Sequence, residues 1–167
     1  MLNLDNIKRE VIVYVAKLMA ISALTAPKAR GYDNIVIKIL DDVEEIEYLA
    51  NKMEELSSTY GDFFKRDAQS IRKSLAVILI GCKIVDMGLK TPQKWNLDAN
   101  VVNSLINLGI AIGSAVKTAS IHNVDNRVMF SAGIAAQELG LIEGDIVYAI
   151  PLTALAKNPY FDRVFKT

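Results

Sequence analysis

The run Leu105–Ala119, Leu-Ile-Asn-Leu-Gly-Ile-Ala-Ile-Gly-Ser-Ala-Val-Lys-Thr-Ala, constrains the fold more than any other stretch. It is apolar on nearly every side and carries no charge before Lys117. Gly109 and Gly113 are four residues apart, so in a helix they share one face. Glycine costs a helix roughly 1 kcal/mol against alanine. A helix that keeps both, beside Ala111, Ser114 and Ala115, points to close approach by another backbone. The run reads as a central helix, buried on most sides, against which the rest packs. Its small-residue face offers more apolar surface than three short strands can cover, so it is expected to meet its twofold mate in a homodimer.

The chain has 167 residues, which fits a single domain over 1–167, and 51% of them are hydrophobic, enough for a sizeable core. Lys+Arg and Asp+Glu both count 19, which gives no support to a general affinity for nucleic acid or an acidic membrane surface. One cysteine excludes an internal disulfide and fits a reducing compartment. The opening residues mix acids and bases before the apolar run and lack a small-residue cleavage site, so no signal peptide is expected. The longest uncharged run, Val101 to Val116, is interrupted by Asn103, Ser104, Asn107 and Ser114. It is shorter than the roughly 20 apolar residues of a membrane span. The expectation is a soluble, cytoplasmic protein with no membrane and no nucleic-acid partner.

Along the chain, Leu4, Ile7, Val11, Val15, Leu18 and Ile21 recur at helical spacing and predict a helix over 4–24. Pro27 stops it and Gly31 permits a turn. Ile35–Leu40 predicts an apolar strand covered on both faces. Asp41 and Asp42 cap a helix over 43–58, whose glutamates form a solvated face. A short helical segment within 62–74 leads to a second buried strand, Leu75–Cys82. Residues 83–96 read as irregular. Asn96 or Asp98 caps the central helix, which runs to about Ile121, and a further helix covers 125–139 with Gly140 as its stop. Asp145–Ile150 is a third strand, followed by a tail without periodicity. Strands interleaved with helices give a layered α/β or α+β domain.

Ordinary zinc spacing is absent, with one histidine and one cysteine, and so are phosphate-loop, dinucleotide and nucleophile-elbow motifs. Three constellations remain. Pro27-Lys28-Ala29-Arg30-Gly31 places two cations on a tight loop before a strand, suited to a phosphate or carboxylate, or else an ordinary basic turn. His122, Asp125, Asn126 and Arg127 gather polar groups between apolar helices, as caps or as a ligand site. Lys157-Asn158-Pro159-Tyr160-Phe161-Asp162-Arg163 is a docking segment, a site cover or a packed tail. Cys82 reads as a buried, inert thiol, and Trp95 as a packing anchor rather than a flavin stack.

At these places the sequence resembles a prokaryotic family of uncharacterised proteins said to contain a ferredoxin domain. The matching runs are Thr25–Asn34, Phe64–Asp67, Leu108–Val116, His122 with Val124–Met129, and Lys157–Arg163. That family carries a cysteine-rich insert between the second strand and the central helix. Here the region is Lys83–Asn96 and holds no cysteine, so no iron–sulfur cluster is expected. The element order is also similar to flavin-dependent nitroreductases, with Ala26-Pro27 and Asn34 matching an Ala-Pro-Ser loop and its following Asn, and Lys28 in place of the serine. Leu108–Ala111 matches the long dimer helix and Ala135–Leu141 the helix after it. The paired N-terminal arginines that grip flavin phosphate there have no match, since Lys8-Arg9 is displaced into the first helix.

The resemblance implies an α+β, FMN-dependent nitroreductase-like fold: a mixed sheet and a long central helix at a dimer interface, with a cleft at the subunit boundary. It implies FMN as cofactor, with Lys28, Arg30 and Arg163 on the phosphate and Asn34 on the ring or ribityl chain. The protein then acts as an oxidoreductase on a small acceptor. The alternatives are a non-catalytic module that binds a small anionic ligand, and a structural homodimer that has lost its cofactor.

Overall fold

The structure is a computed structural model that describes residues 2–161, the side chains of Asp5 and Asn6 excepted. Its helices are α1 (Leu4–Thr25), α2 (Val43–Tyr60), α3 (Phe63–Arg72), α4 (Ala99–Ile121) and α5 (Phe130–Glu138). Its strands are β1 (Ile35–Leu40), β2 (Ala76–Cys82), β3 (Asp125–Asn126) and β4 (Ile146–Thr153), in the sheet order β1-β2-β4-β3. One face of the sheet carries α1 and α4, the other α2, α3 and α5. The α+β class with a long central helix holds. Each described strand pairing is antiparallel, where a mixed sheet was expected.

The strand β2 sits between β1 and β4 and is buried along its whole length. Its residues alternate between the two cores: Ala76, Ile78 and Ile80 face α1 and α4, while Val77 and Leu79 face the other helices. The strand β1 was also expected to be covered on both faces. It touches both cores, Ile35, Ile37 and Ile39 on one side and Val36 and Leu40 on the other, but as an edge strand it is mostly half-buried and leaves Lys38 exposed. The third strand runs beyond the expected Ile150 to Thr153, through Pro151. The neighbouring Ala149 bonds Met129 on the β3 side. By pleat alternation Pro151 faces the same side, in the gap between Met129 and Asn126, where no ladder donor is required. The helix expected over 125–139 begins only at Phe130, because Asp125 and Asn126 pair with Thr153 and Leu152 as β3. The caps on Asp42 and Asp98 form, Asp42 accepting from Glu44 N–H and Asp98 from the N–H groups of Asn100 and Val101.

The central helix is less enclosed than its composition implies. Ala99, Ser104, Asn107, Leu108, Ala111, Ala115 and Ala119 form its buried face. Leu105, Ile106, Gly109, Ile110 and Gly113 are exposed, and no atom lies within 4 Å of a Cβ placed on either glycine. The glycines therefore do not serve packing within the subunit. Gly133 of α5 does serve it, since a Cβ there would stand 2.1 Å from the Val147 carbonyl oxygen. Gly133→Ala should destabilise the fold by about 1–3 kcal/mol or more, as an overpacked contact does. Urea unfolding checks this, and an unchanged midpoint would mean that α5 does not lie so close to β4.

Polar side chains on the buried face of α4 hold two loops. Asn107 Nδ2 donates to Asn34 Oδ1 at 2.9 Å, and Asn107 Oδ1 accepts from Ala29 N–H at 2.8 Å. Asn34 Nδ2 donates to the Lys83 carbonyl at 2.8 Å, and Lys83 N–H returns a bond to the Asn34 carbonyl at 2.8 Å. Ser104 accepts from Val85 N–H, and Asn100 Oδ1 from the N–H groups of Met87 and Leu89. Asn107→Ala should destabilise the protein by about 1–3 kcal/mol by stranding these buried partners. It should also speed hydrogen exchange at Ala29, while Asn103→Ala, on the half-buried flank, should stay within about 0.5 kcal/mol of wild type. Equal effects in the two variants would deny Asn107 this role.

Candidate functional site

The sequence candidates fall at opposite ends of the sheet. In register, Ile35, Cys82 and Ile146 stand together at one end, and Leu40, Ala76 and Leu152 at or near the other. Lys28, Arg30 and Asn34 belong to the first end. Asp125 and Asn126, paired with Thr153 and Leu152, belong to the second.

At the first end the candidates are engaged in structure. The side chain of Lys28 is 6% exposed. Its ammonium donates to the carbonyls of Ala23 and Ala26 at 3.4 and 3.0 Å and to that of Leu24, and lies 3.9 Å from Asp33. A cation there offsets the negative end of α1 and satisfies its orphan carbonyls. Arg30 adopts a left-handed backbone at φ 54 and is exposed, and its guanidinium donates to the Met87 carbonyl. Asn34 is buried, with both ends of its amide bonded. Arg163, the fourth residue of that group, lies outside the described residues.

At the second end the structure brings the other two constellations together. Asp125 Oδ2 accepts from Leu155 N–H at 3.1 Å, and Asn126 Nδ2 donates to the Val124 carbonyl at 3.0 Å. Arg127 donates to the Tyr160 carbonyl at 2.9 Å and lies over the Phe161 ring at 5.5 Å. Asn158 Oδ1 accepts from Tyr160 N–H at 3.0 Å, an Asx turn. The Tyr160 hydroxyl pairs with Ser74 Oγ at 2.9 Å, and burial raises the phenol above its ordinary range. Asp125, Arg127 and Asn158 thus fold the tail back across the start of β2, and His122, at the C-terminal cap of α4, is left exposed.

The bonds to Leu155 and Val124 border a groove of about 360 Å³. Its walls come from three places: the N-terminal half of α1, the turn after α4 and the segment after β4. Ile7, Val11, Val124 and Leu155 make it apolar, and Lys8 and His122 supply polar groups. This is the composition of a small-molecule site, an apolar slot with a few convergent polar atoms. A wider hollow of about 600 Å³ is lined only by α1, between Arg9 and Lys17, and one helix flank encloses no ligand. Two further hollows flank the exposed edge of β1.

The side chains missed by motif are Asn100, Ser104 and Asn107. Their signal is spacing: four and three residues apart, they share the helical stripe of Ala111 and Ala115. Trp95 departs from expectation in the other direction. It is 46% exposed on the loop before α4 and anchors no core. Cys82 is buried as expected, and desolvation pushes its thiol up to about 11.

Residues 98–163 match the family described as "Uncharacterized protein containing a ferredoxin domain (DUF2148)". An uncharacterized protein of Archaeoglobus fulgidus is 40% identical over 183 residues, spanning 99% of both chains. The fold is similar to that of a nitroreductase family protein from Clostridium novyi NT, with TM-score 0.62 at 13% identity, covering 89% of this chain and 76% of that one. A nitroreductase with bound FMN from Desulfitobacterium hafniense DCB-2 gives 0.61 at 13% identity, covering 86% and 78%. The NADPH:FMN oxidoreductase from Vibrio harveyi, complexed with NAD+, gives 0.57 at 12% identity, covering 90% and 63%. An iron–sulfur cluster is held by cysteine thiolates in sets of four. This chain has one, buried and protonated, and among the described residues no group of three or more His, Cys, Asp or Glu could hold a metal. The residues present do not fit such a cluster. Matched to that relative along almost its whole length, the chain belongs to the family of uncharacterized proteins containing a ferredoxin domain, and it has a nitroreductase-like fold.

Proposed function

We propose that the protein is a cytoplasmic homodimer that binds FMN in the groove at the C-terminal end of α4 and acts as a nitroreductase-like oxidoreductase on a small acceptor. The observation that carries this reading is the groove itself. An apolar slot walled by three elements, with a lysine inside it, suits a flat ring joined to a phosphate. Lys8 of α1 lines the groove and takes the place that the resemblance gave to Lys28, Arg30 and Arg163. Similar folds that bind FMN support the choice of ligand. Bound there, the flavin supplies the electron transfer. The chain's own residues do the rest: Ile7, Val11 and Val124 exclude water from the ring, Lys8 balances the phosphate charge, and Asp125 fixes the wall at Leu155.

The open face of α4 supports the dimer. Leu105, Ile106, Gly109, Ile110 and Gly113 form one exposed stripe. An apolar stripe of this extent, on a helix long and apolar enough to cross a membrane, requires a cover. The glycines at its centre let a second backbone approach closely, and an exposed Lys117 on the same stripe suits a protein partner better than hydrocarbon. The internal engagement of Lys28 and Asn34 favours a second reading, in which the groove takes another flat anion and no electrons move.

Purified protein mixed with FMN and desalted should keep the visible flavin band, and Lys8→Glu should weaken binding by about tenfold or more. A wild-type protein that loses all flavin on desalting and shows no shift in melting would remove FMN from the reading. Gly109→Leu, which meets open space within the subunit, should yield a folded monomer by light scattering. A dimer that persists in this variant would move the interface elsewhere.

A further inference from the structure

The sheet ends at β1 in a row of unused backbone hydrogen-bonding groups. Lys83 N–H donates to the Asn34 carbonyl, and these two residues stand one step before the Ile35–Cys82 pair. Bonded and non-bonded pairs alternate along an antiparallel ladder. The backbone groups of Val36, Lys38 and Leu40 therefore turn to Gly81, Leu79 and Val77 of β2, and those of Ile37 and Ile39 turn outward. No described residue bonds them there.

A hollow lies on each side of this edge. On the α1 side, Ile21 and Leu24 are 59% and 47% exposed, and with Ala20, Ile35, Ile37 and Ile39 they border an apolar space of about 460 Å³. On the other side, Lys38, Lys83 and the turn 140–143 border a space of about 420 Å³. Both lysines are exposed, and among the described residues neither forms an ion pair. Glu143 is the one carboxylate in that lining, so the hollow carries net positive charge.

A strand added to this edge sends alternate side chains to opposite faces. One set enters the apolar hollow beside α1, and the other meets the lysines. The lysines select the occupant. A lysine on an edge strand opposes pairing with another copy. Twofold pairing of β1 with β1 would put both Lys38 side chains on one face of the joined sheet. The last residues, 162–167, carry Arg163 and Lys166 against Asp162 and suit that face no better. Carboxylates complement it.

We propose that the edge of β1 is a docking site for an extended segment of another protein in which apolar residues alternate with Asp or Glu. Its backbone pairs with Ile37 and Ile39, its apolar side chains fill the hollow between α1 and β1, and its carboxylates sit beside Lys38 and Lys83. Main-chain bonds carry the affinity, and the two hollows carry the choice of sequence. The site shares no lining residue with the groove at the end of α4, so it stands apart from the flavin reading.

The probe is a terminally blocked peptide, Val-Glu-Val-Glu-Val-Glu-Val, added to the full-length protein. Amide exchange at Ile37 and Ile39 should slow when it binds, and N-methylation of alternate peptide nitrogens should abolish the effect. Lys38→Glu, an exposed change that spares the fold, should weaken the glutamate peptide by about tenfold and strengthen binding of the same peptide with lysine in place of glutamate. No binding at millimolar peptide, or binding that leaves exchange at Ile37 and Ile39 unchanged, would overturn the proposal. Slow exchange at these amides in the free protein would overturn it too. Protection lost on dilution would give the edge to a second copy, and protection lost only on removing residues 162–167 would give it to the chain's own tail.

Discussion

The hydrogen bonds that Asn100, Ser104 and Asn107 make from the buried face of α4 are what the arrangement at one end of the sheet depends on. Backbone N–H groups cannot be buried without partners. The segment after β2 has no helix or strand to supply them, and these side chains do so. Through Asn107 the same stripe reaches Asn34 and Ala29, so the turn after α1 and the segment after β2 are tied to one helix. Polar atoms on a helix interior are costly unless every one is satisfied, and here no buried side-chain nitrogen or oxygen among the described residues lacks a partner. Those bonds hold the loops to α4 without regular structure.

The same helix has two apolar faces with different purposes. Ala111, Ala115 and Ala119 are small so that α1 and the sheet can close on them, and Ser22 and Thr118 hydrogen-bond at 2.6 Å across the α1–α4 contact. Gly109 and Gly113 are small toward open space. Composition alone reads both as burial, and therefore the helix looked enclosed on most sides. The alanine face is explained by contacts within the chain. The glycine face has no explanation within the chain, and a packing argument that stops at the subunit leaves the more unusual half of the pattern unaccounted for.

How far the sequence could be read depended on whether a signal was local. The strand β2 and the helices α2 and α4 were legible because alternation, length and the caps Asp42 and Asp98 are properties of neighbouring residues. The strand β1 was equally apolar, but its place at the edge depends on strand order, which no window of sequence contains. Asp125 and Asn126 look like a helix start, and pairing with Thr153 and Leu152 overrides that propensity. Lys28 and Arg30 were legible as a basic turn. That the Lys28 ammonium would turn back onto the carbonyls ending α1 required the path of the chain. The groove was invisible for the same reason: its walls lie far apart in sequence, at α1, Val124 and Leu155, and only Asp125 and His122 among its neighbours had been marked.

The opposite placement of the two candidate groups bears on what kind of site this fold can build. Lys28, Arg30, Asn34 and Trp95 gather where β1 begins and α4 starts, whereas His122, Asp125 and Asn158 gather near the far end. Within one subunit they cannot act on one small ligand, and a reading confined to the monomer would have to discard one group or the other. The contacts decide between them: Lys28 and Asn34 are held by carbonyls and amides of their own chain, whereas Lys8 and His122 line an open groove, so within one subunit it is the far end of α4 that offers polar groups to a small ligand.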